Sequence, residues 1–434
     1  MRSSFSGSLL LLFVLVCAPA IYAKSSTETL ARQATSADGP AAARAIAELR
    51  GLGPAGLAAL RQAYAAEINK QVSNPLLATT AEWQRLSKAL DTVSQQKDSY
   101  LGGLYWYTDL ERAKAAARAQ NKPILSLRLL GNLSEEYSCA NSRFFRTILY
   151  SNTEVSEMLR EKFILHWQSV RPAPRVTIDF GDGRKLERTL TGNSIHYILD
   201  SEGKTVDALP GLYGPGAFLG QLRASENLVR HAGNKNAFME AFVGYQRERL
   251  NKVNLDWLAE IQKIGGKTPK GLLVIKREDG TPEALQIASL AVTKAVTETS
   301  ILRSMTAAPE ALGAVTDEAA WRKLAQFHLA DSQLDARSIG LIQRQTQRAV
   351  SGKSDLAKLV DKLEQNIALD TVRNEYLLHT KLYAWLISDR NRTELEALNK
   401  KVYAELFLTP ATDPWLGLLS PDTYLALEGG GISR

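Results

Sequence analysis

The feature of this sequence that most constrains its fold is the alternation between helical and strand spacing of apolar residues from 100 to 222. The pattern runs helix, strand, helix, strand and then two hairpins with Gly-containing turns. These segments are the helix LERAKAAARAQ (110–120), the strand ILSLRLL (124–130), a helix at 153–162, the strand FILHWQSV (163–170), and hairpins at 176–190 and 195–208. This order predicts an α/β domain with a mixed sheet and flanking helices.

Helical patterns lie on both sides of this region. Residues 24–98 contain Ala- and Leu-rich helices broken at Gly51-Leu52-Gly53-Pro54. After residue 225 the spacing favours helices almost throughout. The predicted helices there are 238–264, 282–305, 318–330, 336–350, 354–367, 370–387 and 392–407. We therefore predict four parts: 1–23, a helical N-terminal region at 24–98, the α/β domain at 99–224, and a large all-α C-terminal domain at 225–434.

The first 23 residues have the three parts of a secretory signal peptide. Met1-Arg2 gives a short positive segment, residues 9–16 (LLLLFVLV) are apolar, and cleavage is predicted after Ala20 or Ala23. Cys17 leaves lipidation open as an alternative, although Val16 before it is larger than that processing normally accepts. No later segment approaches about 18 uninterrupted apolar residues, so we expect no transmembrane helix in the mature chain. The expected location is the periplasm or the extracellular space.

The charge distribution and the spacing of the histidines argue against nucleic-acid binding and metal binding. The formal net charge is +7, and the basic stretch 343–353 is interrupted by polar and apolar residues. This favours a solvated basic surface, and we expect no nucleic-acid partner. His231, His328 and His379 lack the spacing of metal ligands. We therefore expect no metal and no cofactor.

Cysteine usage singles out one residue. The chain has two cysteines, and removal of the signal peptide leaves Cys139 alone. An exported chain with one cysteine has no internal disulfide framework. The remaining thiol is therefore either buried and inert or reactive.

The middle region resembles the thioredoxin-like superfamily. The resemblance rests on Trp106, the alanine-rich helix 110–120, Asn121-Lys122-Pro123, the strand 124–130, Cys-Ala-Asn-Ser at 139–142, and the hairpin HYILDSEGKTVDALPG. It covers about 120 residues and implies a thioredoxin-like fold with a cysteine site at the start of a helix. Where redox members of the family have Cys-x-x-Cys, this chain has Cys139 and Ser142. Where they have a cis-proline facing the cysteines, it has Asn193-Ser194-Ile195.

The candidate site consists of Cys139, Ser142 and His196. At a helix N-terminus, backbone N–H groups favour the thiolate, and Arg143 would add to this effect. We expect Phe144 and Phe145 to bury one helix face and to hold the sulfur at the surface. A lone thiolate beside Ser142 can capture a disulfide but has no second sulfur to resolve the adduct. The alternative is that Cys139 is a small hydrophobe packed against the sheet.

Two histidines lie on predicted strands. His196 begins the strand expected to face the cysteine loop, where a neutral imidazole would accept the thiol proton. The alternative for His196 is a hydrogen-bonded strand histidine without a chemical role. His166 in FILHWQSV is predicted to be structural.

Two functions remain open. The first is an exported thioredoxin-fold protein that uses one thiol for monothiol redox chemistry or thiol capture in the cell envelope, with a thiol- or disulfide-bearing protein as its partner. The second is a non-catalytic thioredoxin-fold scaffold whose helical C-terminal domain binds an envelope partner. The reactivity of Cys139 distinguishes them.

Overall fold

A computed structural model describes most of the chain. The described residues are 18–231, 235–267, 269, 292–294, 298, 301, 317–346, 352–389, 394–416, 418 and 426–427. Residues 1–17 of the predicted signal peptide and most of the predicted helix 282–305 lie outside them.

The N-terminal region is helical, as predicted. Its helices are α1 (Ala18–Gln33), α2 (Gly39–Gly51), α3 (Pro54–Ala63), α4 (Ala65–Ser73) and α5 (Ala81–Ser94). The predicted break lies between α2 and α3, where Gly53 adopts a φ of 71° that suits glycine. Gly56 lets the two helices meet closely, because a Cβ there would lie 1.9 Å from the carbonyl oxygen of Leu49. The buried hydrophobic cluster of this region also includes Leu341 of the C-terminal part.

The middle region forms the predicted mixed sheet. Its strands are β1 (Trp106–Tyr107), β2 (Ile124–Leu130), β3 (Ile164–Arg171), β6 (Ile195–Leu199) and β7 (Thr205–Pro210), in the order β1-β3-β2-β6-β7. β1, β2 and β3 are parallel, whereas β6 is antiparallel to β2 and β7 is antiparallel to β6. The other hairpin, β4 (Arg175–Asp179) and β5 (Lys185–Thr189), forms a separate two-stranded sheet.

Helices flank the five-stranded sheet. They are α6 (Leu110–Gln120), α7 (Ala140–Phe144) with a π-helical turn at Phe145–Leu149, α8 (Thr153–Lys162) and α9 (Pro215–His231). The Asp109 carboxylate caps α6 by accepting from the backbone N–H of Arg112 at 2.9 Å. α9 crosses the predicted domain boundary at 224–225, so that boundary falls within a helix.

The C-terminal part is helical. Its described elements are α10 (Lys235–Lys263), α11 (Glu318–Ala325), α12 (Ala336–Thr346), α13 (Lys353–Arg373), a π-helical turn (Asn374–His379), α14 (Thr380–Ser388), α15 (Leu395–Lys401) and a second π-helical turn (Val402–Leu406). The predicted break between 367 and 370 is wrong, since one helical run extends from Lys353 to Ser388. Ala368 and Leu369 are buried and neither interrupts a helix. Across the described residues, no helix combines the length and apolarity needed to span a bilayer.

The sheet and the C-terminal helices share one hydrophobic core. Leu127 of β2 and Ile195 of β6 belong to the same buried cluster as Leu382 of α14 and Val402. Arg128, a buried residue of β2, also forms an ion pair with Glu396 of α15 at 2.5 Å. The C-terminal helices are therefore part of the packing of the sheet.

A buried polar cluster on β7 forms a second junction with the helices. The Asp207 carboxylate accepts from the hydroxyl of Tyr245 on α10 (2.6 Å) and from the backbone N–H of Ala208 (2.7 Å). His379 Nε2 lies 3.1 Å from the carboxylate. Burial alone would raise the pKa of Asp207, but His379, Tyr245 and the Ala208 N–H outweigh it and hold this pKa below its ordinary value.

Candidate functional site

Cys139 lies between the end of β2 and the start of α7. Its backbone N–H donates to the carbonyl oxygen of Leu130 at 3.0 Å, which fixes the loop to the end of the strand. Its own carbonyl accepts the N–H of Arg143 at 3.1 Å and begins the helical bonding of α7. The cysteine is thus at the helix N-cap, as predicted.

Two serine hydroxyls lie against the sulfur. The Sγ is 3.4 Å from Oγ of Ser142 and 3.1 Å from Oγ of Ser194. Ser142 donates its own proton to the carbonyl oxygen of Cys139 at 2.8 Å, so the thiol donates to Ser142. Ser194 is therefore the hydroxyl positioned to donate to the sulfur.

The sulfur is buried, and the prediction that it lies at the surface is wrong. Cys139 is 0% exposed. Phe145 is buried as expected, but the cover over the sulfur comes from the segment before β6. There a Cβ on Gly192 would lie 2.5 Å from the Cβ of Cys139. Glycine at 192 thus allows the backbone to pack directly onto the cysteine.

The C-terminal part holds this covering segment in place. The hydroxyl of Tyr403 donates to the carbonyl oxygen of Asn193 at 2.8 Å, next to Ser194. Tyr403 is buried, and burial raises its pKa well above the usual range. The site is therefore covered by two segments that are distant in sequence.

Ser194 is the site residue that the sequence reasoning missed. It stands within the Asn193-Ser194-Ile195 stretch that was noted only for lacking a cis-proline. All peptide bonds among the described residues are trans. The available signal was a hydroxyl residue in the segment that the resemblance places opposite the cysteine.

His196 lies in β6 and is fully buried. Its Nε2 is 2.6 Å from the hydroxyl of Tyr150, and its ring packs against Phe145 and Phe218. Burial lowers the pKa of His196 to about 3, so the imidazole is neutral. The Cys139 sulfur forms hydrogen bonds with Ser142 and Ser194. The role of His196 as a base for the thiol stays a prediction.

His166 lies in β3 and has a structural environment. Its Nδ1 is 2.8 Å from Oγ of Ser126, and Arg128 also donates to that hydroxyl at 2.7 Å. Burial, and then the Arg128 charge, lower the pKa of His166 to about 3. This neutral, hydrogen-bonded strand histidine agrees with the structural interpretation.

Neither a metal cluster nor a known relative adds to this site. In the parts of the chain that the structure describes, no group of three or more His, Cys, Asp or Glu is placed to hold a metal ion. No protein-family profile, curated protein or solved structure matches this chain at a significant level. The chemistry of the site therefore has to be inferred from its own geometry.

Proposed function

We propose that this chain is a non-catalytic thioredoxin-fold scaffold of the cell envelope, in which Cys139 packs against the sheet and the helical C-terminal part binds a partner. The observation that carries the proposal is the complete burial of Cys139. A thiol must reach solvent or a reactant to attack a disulfide. In this packing the sulfur instead behaves as a small hydrophobe with weak hydrogen bonds.

Three features support a thioredoxin-like fold. The sheet is mixed, its parallel strands precede its antiparallel hairpin, and the cysteine stands at the start of the helix that follows β2 and its loop. The hairpin with Leu199-Asp200 and Gly203-Lys204 forms the edge of the sheet beyond the cysteine. These are the elements on which the sequence resemblance rests.

Two exposed leucines on α10 support partner binding by the helical part. Leu255 and Leu258 are 66% and 59% exposed and lie three residues apart, on neighbouring positions of one helix face. A protein partner would remove this apolar pair from water. A photo-crosslinking residue at position 258 should therefore capture a partner in envelope fractions. The matched control is position 52, where Leu52 is 47% exposed on the N-terminal region; equal capture at both positions would contradict specific binding by α10.

The alkylation rate of Cys139 tests the scaffold proposal. With iodoacetamide, the native protein should react at least ~100-fold more slowly than the urea-unfolded protein, because reaction requires a local opening. Cys139→Ala removes the labelled site and provides the blank. Native labelling as fast as that of the unfolded chain would overturn the proposal.

The second candidate is a monothiol that captures disulfide-bearing proteins. It is favoured by the Ser194 hydroxyl, which is placed to donate to a thiolate at Cys139. It requires the segment around Gly192 and Tyr403 to move away from the sulfur. The expected signature is stoichiometric reaction of the native protein with an aromatic disulfide, lost in Cys139→Ser.

A further inference from the structure

A cavity of about 630 Å³ lies between the α/β part and the C-terminal helices. One wall comes from the helix that follows Cys139, through Ala140, Arg143, Phe144 and Thr147. These positions are i, i+3, i+4 and i+7, so they form one face of that helix. Cys139 itself is not part of the lining, and the cavity is distinct from the thiol site.

The facing wall comes from α13 and has the same spacing. It consists of Leu359, Lys362, Leu363 and Asn366, with Ile342 of α12 beside them. The side chains of two helix faces that lie opposite each other normally interdigitate. Here they leave a space whose surface is mainly apolar. Its volume lies within the range of about 300–1,000 Å³ that is typical of small-molecule sites.

Positive side chains predominate around the cavity. Besides Arg143 and Lys362, the lining includes Lys97, Arg146 and Arg188. The acidic side chains of the lining are Asp98 and Glu136, and Glu136 already forms an ion pair with Lys97 at 3.1 Å. Arg146 donates to backbone carbonyls, including that of Glu135 at 2.8 Å. The buried Glu298, which pairs with Lys294 at 3.8 Å, also lies close enough to Arg143 to interact with its charge. The basic side chains still outnumber the acidic ones, and the cavity therefore offers a positive field to a ligand.

Arg143 has a donor without an acceptor among the described residues. One of its terminal nitrogens donates to Oγ1 of Thr189 at 2.9 Å, which fixes the guanidinium. Its Nε is buried and has no hydrogen-bond partner within the described parts of the chain. The planar guanidinium, which Thr189 holds at the cavity wall, matches the geometry of a carboxylate.

We propose that this cavity binds an amphipathic organic anion, with its apolar body between the two helix faces and its carboxylate at Arg143. The proposal goes beyond the scaffold function and does not depend on it, since it rests on the cavity alone.

The test uses the full mature protein, decanoate as the probe and decanol as its uncharged counterpart. The affinities for decanoate and decanol are both measured by displacement of the fluorescent anion anilinonaphthalene sulfonate. We expect one saturable site and at least ~10-fold tighter binding of decanoate than of decanol, because a hydrogen bond to a charged group contributes about that much. Equal affinities, or fluorescence that does not saturate, would overturn the proposal.

Variants locate the site. Arg143→Met should weaken decanoate binding about 10-fold and leave decanol binding unchanged. Leu363→Trp should fill the space and reduce binding of both. Arg118→Met on α6, where the side chain is 46% exposed and pairs with Glu202, is the matched control and should bind both probes normally. Unchanged decanoate binding by Arg143→Met would refute the assignment; if that variant does not fold, the comparison of decanoate with decanol on the wild type decides.

Discussion

The buried carboxylate of Asp207 allows a quantitative test of how the sheet is joined to the C-terminal helices. Asp207→Asn keeps the size of the side chain but removes the charge that faces His379 and Tyr245. Loss of one member of a buried pair typically costs about 3–5 kcal/mol. We expect the lower part of that range, because the amide oxygen can still accept from the Ala208 N–H. Tyr245→Phe removes one hydrogen bond to a charged group and should cost about 1.5–3 kcal/mol.

The effect of Asp207→Asn should depend on pH. Since the folded pKa of Asp207 is lowered, its contribution to stability is fully present above the unfolded value of about 3.9. The contribution is lost as the pH falls from that value through the lower folded pKa. The difference in the free energy of unfolding between wild type and Asp207→Asn should therefore shrink below about pH 4.

Urea unfolding followed by both far-UV circular dichroism and tryptophan fluorescence measures this free energy, and coincident transitions justify a single value. Tyr107→Phe, at the edge of the sheet beside Tyr105, is the matched control and should change stability by less than ~0.5 kcal/mol. A cost below about 1 kcal/mol for Asp207→Asn at pH 7 would refute the reasoning, because the cluster would then add little to the junction.

Two further predictions concern the cysteine. Gly192→Ala should lower the free energy of unfolding by about 1–3 kcal/mol, because its Cβ would lie 2.5 Å from that of Cys139. Adding Cys139→Gly in a double variant should restore part of this loss. If the two substitutions instead have additive effects on the free energy of unfolding, the two residues are not in direct contact. The wild-type protein should reduce insulin at close to the background rate, since Ser142 supplies no resolving sulfur, and Ser142→Cys should remain slow while the site is buried. Turnover by the wild type near that of a dithiol enzyme would be incompatible with this reading.

The sequence predicted the elements that local pattern determines. The helix at 110–120 and the strand at 124–130 have the predicted bounds, because Asn121 and Pro123 mark the end of the helix and the strand is uniformly apolar except for Ser126 and Arg128. The false break near 367–370 placed a helix start at Asp370. In the structure its carboxylate accepts from the backbone N–H of Thr293 instead, at 2.9 Å.

The environment of the thiol could not be predicted from local pattern. The residues EEYSCANSRFF indicate a helix start, and Cys139 is at one. Its burial depends on Gly192 and Tyr403, which are brought to it by the sheet and by the C-terminal packing. Hydrophobic periodicity carries no information on such long-range contacts. Periodicity gives no sign of Ser194 either, and only the resemblance places its segment opposite the cysteine.

The ion pair between Arg128 and Glu396 has a consequence for how the protein is made. The two residues are 268 positions apart in the chain. At about 5–20 residues per second, the ribosome needs on the order of 10–50 s to produce Glu396 after Arg128. For that time β2 lacks the partner of its charged residue and the helices that cover it. The sheet should therefore reach its final packing only after synthesis is nearly complete, and ribosome-bound chains stalled before residue 394 should be more sensitive to protease within residues 124–210 than the finished protein.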